Sequence, residues 1–353
     1  MASNPEVCQA AKDSIDKYGF SLASAPLMCG CQDVHRQLEL ELAKFAGAES
    51  AIIYPSGYHC NIGVYMACFN DQDVIFSDQF NHASIIDGLR LTKSKRYVFK
   101  HRDYDMLEKM LKMASGARFR VIVTEGVFSM DADFCDLERL IALKKKYDAV
   151  LIVDDCHGLG VIGENGGGVV EYQKQSMEDI DIFVSTIGKA LGGSTGGFVA
   201  GKKEIINWLR QRSRAFVFSN ALPPMNMAGT LKAIELLRGK HKDTFKSLKA
   251  KTNYFRDRMH EEGFEIMGNR DCPICPVLTK CEKITRAVEM KLWEHNLYTI
   301  AVAFPIVSLG EARFRIIVNN GHSYEDLDAL IKGFVDCATE AGYYEKYNIK
   351  RKG

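Results

Sequence analysis

Short apolar runs alternate with longer amphipathic segments through most of the chain. The runs fall at 51–54, 74–76, 96–99, 121–124, 150–153, 182–185 and 197–200. Most are rich in β-branched residues and bounded by Gly, Asp or Ser, which reads as buried strands. Segments 136–147 and 205–212 carry helical spacing between them. Strand and helix in alternation predict an α/β domain with a mostly parallel sheet. Ligands of such sheets bind at the carboxyl ends of the strands, so chemistry is sought in the residues that follow each run. From about Ala228 the texture changes. One long helical stretch is expected over 228–262, then short strands at 275–278, 298–301 and 313–318, then a helix over 323–341. This predicts a large domain over 1–230 and a small α+β domain over 231–353.

Composition narrows the class without changing the picture. The 353 residues are 46% hydrophobic and 26% charged, with a net charge of +1. Nothing there draws the chain to nucleic acid or a membrane surface. Lys144-Lys145-Lys146 reads as a solvated helix end. The 11 cysteines are an odd number scattered over a long chain, unlike a secreted disulfide framework. A reducing, intracellular compartment is expected, cytoplasm or mitochondrial matrix. Cys29-Gly-Cys31 and Cys272-Pro-Ile-Cys275 lack the partners of a zinc site and read as packed thiols. No apolar run is long enough to span a bilayer, and residues 1–12 have no signal-peptide pattern.

The strand ends carry the polar groups. After 150–153 comes Asp154-Asp155-Cys156-His157-Gly158. This is either a cleft carboxylate and histidine, or a helix-capping aspartate beside a structural histidine. After 182–185 comes Thr186-Ile187-Gly188-Lys189, followed by the glycine-rich Gly192-Gly193-Ser194-Thr195-Gly196-Gly197. That loop is not a Walker A motif. Its lysine serves either a phosphate or an imine, and the latter needs a partly desolvated amine. Pro55-Ser56-Gly57-Tyr58 opens a helix N-terminus, a ready anion site. His82 and Ser129 follow two further runs. Taken together, these groups suit a phosphorylated aromatic aldehyde, held as an imine and tuned through its ring.

The motifs Asn81-His82-Ala83-Ser84-Ile85-Ile86-Asp87-Gly88, Glu125-Gly126-Val127-Phe128-Ser129-Met130-Asp131, Val153-Asp154-Asp155-Cys156-His157 and Thr186-Ile187-Gly188-Lys189-Ala190-Leu191-Gly192-Gly193 together resemble the α-oxoamine synthases. These are pyridoxal-5′-phosphate (PLP) enzymes that join an amino acid to an acyl-CoA. The resemblance covers nearly the whole chain. It implies the PLP-dependent transferase fold type I, aspartate-aminotransferase-like, and a homodimer with shared active sites. It also implies residue roles. Lys189 would bind the cofactor as an imine and move the α-proton. Asp154 would pair with the pyridine nitrogen, His157 with the ring's 3′-oxygen, and His82 would stack on the ring. Gly57, Tyr58 and Thr186 would serve the phosphate or ring. Ser219 and Asn220 would reach the phosphate of the partner subunit. Ser129 would lie near the substrate, and Arg315 would take its carboxylate, a good match for a planar guanidinium.

Within the family, the run from Lys189 to Gly193 and Phe218-Ser219-Asn220 are similar to the branch that condenses glycine with acetyl-CoA to 2-amino-3-oxobutyrate and CoA, a step of threonine breakdown. Gly168-Val-Val-Glu-Tyr172 is more similar to the serine palmitoyltransferase branch. The alternatives are a decarboxylative condensation, as in 8-amino-7-oxononanoate or long-chain-base synthesis, and a non-catalytic subunit. Such subunits lack the lysine that stands here at 189. Three departures stand out. Family members carry an N-terminal arm before the stretch that Met1-Ala-Ser-Asn-Pro5 resembles, and it is expected to be missing here. Pro26 stands where an arginine is expected, and Cys31 where a threonine is usual.

Overall fold

A computed structural model describes residues 1–349. The chain forms two compact units. The first holds Met1–Phe128 and Cys135–Lys242; the second holds Ser129–Phe134 and the described chain from Asp243 onward.

The first unit is built on a seven-stranded sheet. Its strands are β1 (Ser50–Tyr54), β2 (Val74–Asp78), β3 (Lys95–Phe99), β4 (Arg120–Glu125), β5 (Val150–Asp154), β6 (Ile182–Thr186) and β7 (Gly197–Gly201). Each expected run became one of these strands. Their order across the sheet is β1-β7-β6-β5-β4-β2-β3. The neighbours from β6 to β3 are parallel, and β7 runs antiparallel to both β6 and β1. Strands β2, β6 and β7 are buried along their whole length, as near-continuous apolar runs should be. The exception is β3, at the sheet edge, where Lys95 and Arg96 are exposed and discourage strand addition.

The helices between strands start where the sequence supplies caps. Asp136 accepts from the Arg139 amide to open helix Leu137–Tyr147. Ser56 accepts from His59 to open helix Gly57–Cys68. His82 caps helix Ala83–Arg90 through its own ring nitrogen. The basic residues Lys144, Lys145 and Lys146 close their helix, where cations complement the helix dipole.

The second unit is α+β. Four antiparallel strands, β8 (Glu265–Ile266), β9 (Ile274–Lys280), β10 (Ala301–Val302) and β11 (Ala312–Ile317), lie in the order β10-β11-β9-β8. Helices Thr244–Glu261, Glu282–Glu294 and Tyr324–Glu340 pack with them around Phe255, Phe264, Phe314 and Phe334. Each such fully buried ring contributes roughly 1.5–3 kcal/mol.

Three expectations change. The single helix over 228–262 is two helices, Pro224–Arg238 and Thr244–Glu261, broken at Gly239. The first of them packs against helix Pro5–Tyr18, with Ala233 and Leu236 clustered on Val7. It therefore belongs wholly to the first unit, and the division falls after Lys242 instead of near residue 230. Segment Ser129–Phe134 also leaves the first unit, because Asn269 and Arg313 of the second bond its Ala132 and Met130 carbonyls. Finally, the strand expected at 298–301 shrinks to β10. The Trp293 indole takes the Thr299 carbonyl at 2.9 Å, which removes it from the ladder.

Candidate active site

Asp154 ends β5 and is buried, and its carboxylate is fixed at both oxygens. Oδ2 accepts from Asn61 Nδ2 at 2.7 Å, and Oδ1 accepts from the Cys156 amide at 3.0 Å. The same Asn61 amide donates to Ser84 Oγ at 2.9 Å. Ser84 Oγ lies 2.7 Å from His82 Nδ1, which also accepts from the Ser84 amide at 3.1 Å. A nitrogen that accepts a main-chain N–H carries no proton, so the Ser84 hydroxyl donates to it and the ring proton resides on Nε2. Burial pulls the His82 pKa below the ordinary histidine value, Lys189 pushes the same way, and Asp154 opposes them. His82 is thus a neutral ring in a defined tautomer.

The two strand ends after β5 and β6 bring His157 and Lys189 together, with Lys189 Nζ 2.9 Å from His157 Nε2. A lysine ammonium only donates, so His157 Nε2 is the acceptor in that pairing. Lys189 is exposed in this chain. The expected desolvated amine is therefore not supplied by this chain alone.

Thr186 closes the lysine loop. Its hydroxyl donates to the Gly196 carbonyl at 2.9 Å and accepts from the Gly188 amide at 3.0 Å. The one hydroxyl proton is spent inside the loop, so a phosphate contact from Thr186 requires that bond to be exchanged. Gly57 and Tyr58 form the first turn of helix Gly57–Cys68, whose leading amides lack helical partners and favour an anion. A Cβ on Gly57 would meet Cys156 Sγ at 3.2 Å and Thr186 Cβ at 3.6 Å. A Cβ on Gly197 would meet the Gly57 nitrogen at 2.4 Å. Glycine at both positions lets the helix end touch the strand ends. The Tyr58 hydroxyl donates to Asp87 Oδ2 at 2.9 Å.

Ser219 and Asn220 line a pocket of the first unit together with Tyr54, Pro55 and Arg210. The same pocket is lined by Pro26 and Cys31. Ser129 and Arg315 belong to the second unit, where Arg315 Nε donates to the Ser129 carbonyl at 2.6 Å.

Four residues of this network carried no role in the sequence reading. Asn61 and Ser84 link Asp154 to His82. Glu125 ends β4 in register with Asp154. Asp155 is fully buried, accepts from the Val169 amide at 2.9 Å, and has its pKa pushed up to about 7, chiefly by burial. A Cβ on Gly126, Gly158 or Gly168 would fall within 2.4 Å of its oxygens. The spacing of Gly57 and Asn61, four apart on one helix face, was the one available signal for Asn61.

A family model for class I and II aminotransferases matches residues 2–334. Human mitochondrial 2-amino-3-ketobutyrate coenzyme A ligase is 38% identical over 336 residues, 95% of this chain and 80% of that protein. The Escherichia coli K12 ligase of the same name is 39% identical over 344 residues, 97% of this chain and 86% of its own. The 8-amino-7-oxononanoate synthase of Petrotoga mobilis is 39% identical over 336 residues, 95% of this chain and 84% of its own. Among solved structures, the Sphingomonas wittichii serine palmitoyltransferase superposes with a TM-score of 0.92 at 28% identity, covering 97% of this chain and 85% of that one. A serine palmitoyltransferase from S. paucimobilis with bound PLP gives 0.90 at 25%, with the same two coverages. The chain belongs to the class I and II aminotransferase family of fold type I. Within it, the chain is an α-oxoamine synthase and its cofactor is PLP.

The residues present fit that cofactor. A buried anion fixed at both oxygens, a neutral imidazole, an amine beside a second imidazole, and the unpartnered amides of a helix end are the donor set a phosphorylated pyridine aldehyde needs. Among the described residues no helix is long and apolar enough to cross a membrane.

Proposed function

We propose that this chain is a PLP-dependent acyltransferase that joins glycine to acetyl-CoA, giving 2-amino-3-oxobutyrate and free CoA. The observation that carries it is the pairing of Lys189 with His157 beside an Asp154 locked by Asn61. Relatives named 2-amino-3-ketobutyrate coenzyme A ligase, at 38% and 39% identity, support the choice of glycine and a short acyl group.

When bound, PLP supplies an aldehyde for amino groups and a ring that takes up the electron pair released at the amino acid's α-carbon. The chain's own residues do the rest. Asp154 presents a fixed negative charge that keeps a proton on the ring nitrogen. Lys189 Nζ holds the cofactor and then removes the α-proton of glycine. His157 orients that amine and serves the ring's 3′-oxygen. His82, as a neutral ring, would stack on the pyridine when the cofactor is bound. The first-turn amides of Gly57 and Tyr58, with Thr186, hold the phosphate. Arg315 takes the glycine carboxylate with Ser129 beside it.

The same reading includes a homodimer. Lys189 is exposed in one protomer, and a second copy would exclude water from it. Ser219 and Asn220 of that copy would complete the phosphate site.

Purified protein mixed with PLP, then glycine, then acetyl-CoA tests this directly. The expected result is a visible absorption band that shifts with glycine, is absent in Lys189→Ala, and precedes glycine-dependent release of a free thiol. A protein that binds PLP but releases no thiol with glycine would end the proposal. A second reading, decarboxylative condensation of a different amino acid, is favoured by the 39% identity to an 8-amino-7-oxononanoate synthase. Release of labelled carbon dioxide from the amino acid carboxyl separates the two.

A further inference from the structure

Glu125 has no part in the chemistry above, yet it stands inside the frame of the site. It ends β4 and pairs in register with Asp154 at the end of β5, so two acidic side chains stand side by side on adjacent parallel strands. Both are buried, Glu125 at 3% exposure and Asp154 at 5%. The Glu125 main chain is pinned, because its amide donates to Asn81 Oδ1 at 3.0 Å. Asn81 is in turn tied to Ser77 Oγ and the Val123 carbonyl, both at 2.9 Å. The main-chain N–H of His82 stands near the Glu125 carboxyl and favours its charged form. Its Oε1 is sealed from water without a hydrogen-bond partner.

The charged groups facing that carboxyl are Asp154 and Asp78, which repel a second negative charge, and Lys189, which attracts it. Of the two acids, Asp154 has donors on both oxygens, and Glu125 has one oxygen with none. Two buried carboxylates side by side do not both ionise when only one is solvated by hydrogen bonds. The proton stays on Glu125, whose pKa is held well above the usual carboxylate range by burial and then by Asp154.

We propose that Glu125 is a positioning residue that remains a neutral carboxylic acid, anchoring the main chain at His82 while leaving Asp154 as the single negative charge of the pair. The inference rests on the reading of Asp154 as the partner of the ring nitrogen. A second charge at Glu125 would blur the field that Asp154 sets, and its removal would loosen the segment that carries His82.

The infrared difference between cofactor-free wild type and Glu125→Gln at neutral pH reads the charge directly. The expected difference is loss of a protonated-carboxyl stretch with the carboxylate bands unchanged; loss of a carboxylate band would overturn the proposal. Affinity for PLP, followed by its absorption band, reads the anchoring. Glu125→Gln keeps an oxygen beside the His82 amide and is expected to bind within about twofold of wild type, whereas Glu125→Ala leaves that amide facing a cavity and weakens binding about tenfold. Equal weakening in both variants would refute the anchoring role. A wild type that gives no PLP band would sink the cofactor reading instead, and the infrared difference would still decide the charge on Glu125.

Discussion

Lys189 Nζ meets His157 Nε2 at 2.9 Å across 32 positions of sequence, because β5 and β6 lie side by side and each ends just before one of the two residues. That adjacency, and not either motif alone, makes the amine addressable by an imidazole. Removing the amine is expected to abolish the glycine-responsive absorption band and to cut turnover at least about a thousandfold, in the range seen for a lost covalent catalyst. Stopped-flow absorption and a thiol-release assay on Lys189→Ala measure both, and a variant with turnover near wild type would remove Lys189 from the mechanism.

The anion at Asp154 and its clamp are separable. Asp154→Asn keeps the shape and loses the charge, so PLP is expected to remain bound while kcat falls about a hundredfold or more. Asn61→Ala leaves the charge but strips the donor from Asp154 Oδ2 and from Ser84. Orphaning these buried groups is expected to cost about 1–3 kcal/mol of stability, read by denaturant unfolding, with weaker PLP binding. If Asn61→Ala leaves both stability and PLP affinity at wild-type values, the clamp has no energetic role.

Asp155 links stability to pH. Its pKa rises from 3.8 in the unfolded chain to about 7 in the folded one, so the folded state binds the proton more tightly. The stabilisation this brings is complete below the unfolded value and disappears as pH rises through about 7. Its size is on the order of 4 kcal/mol, an upper figure from a shift of roughly three units. Asp155→Asn keeps an acceptor for the Val169 amide and cannot ionise. Between about pH 4 and pH 7, wild type should lose unfolding free energy relative to this variant, with no further divergence above that range. Parallel pH curves for the two proteins would contradict the assignment.

Two arginines on β11 are expected to behave oppositely. Arg313 is buried and ion-paired to Asp131 at 2.8 Å and Glu311 at 3.1 Å. Truncating it to Ala removes a large buried side chain and the partner of the half-buried Asp131, and should cost about 2–3 kcal/mol in the stability of the second unit. Arg315, two positions on and half-buried, is the substrate residue in the proposed reaction. Arg315→Ala should raise the KM for glycine about tenfold or more, while the unfolding midpoint moves little. The experiment pairs a thermal melt with steady-state kinetics, and a swap of the two phenotypes would reverse the assignment.

The local pattern along the chain determined the elements and placed the reactive side chains. Runs of β-branched residues bounded by Asp, Ser or Gly specify buried strands, and all seven formed. Because parallel strands present their carboxyl ends to one edge, the residues after 153 and 185 were identifiable as site residues before any contact was known. Tertiary structure decided what those residues touch. Asn61 reaches Asp154 across 93 positions, and no spacing rule links a helix to a strand that far away. Glu125 and Asp154 became neighbours only because β4 and β5 pair in register. Segment Ser129–Phe134 joined the second unit because Arg313, far along the chain, bonds its carbonyl. Hydrophobic periodicity is a property of adjacent residues and survives in the sequence alone. Burial, charge coupling and hydrogen-bond satisfaction are properties of neighbours in space, and they exist only once the chain has closed around them.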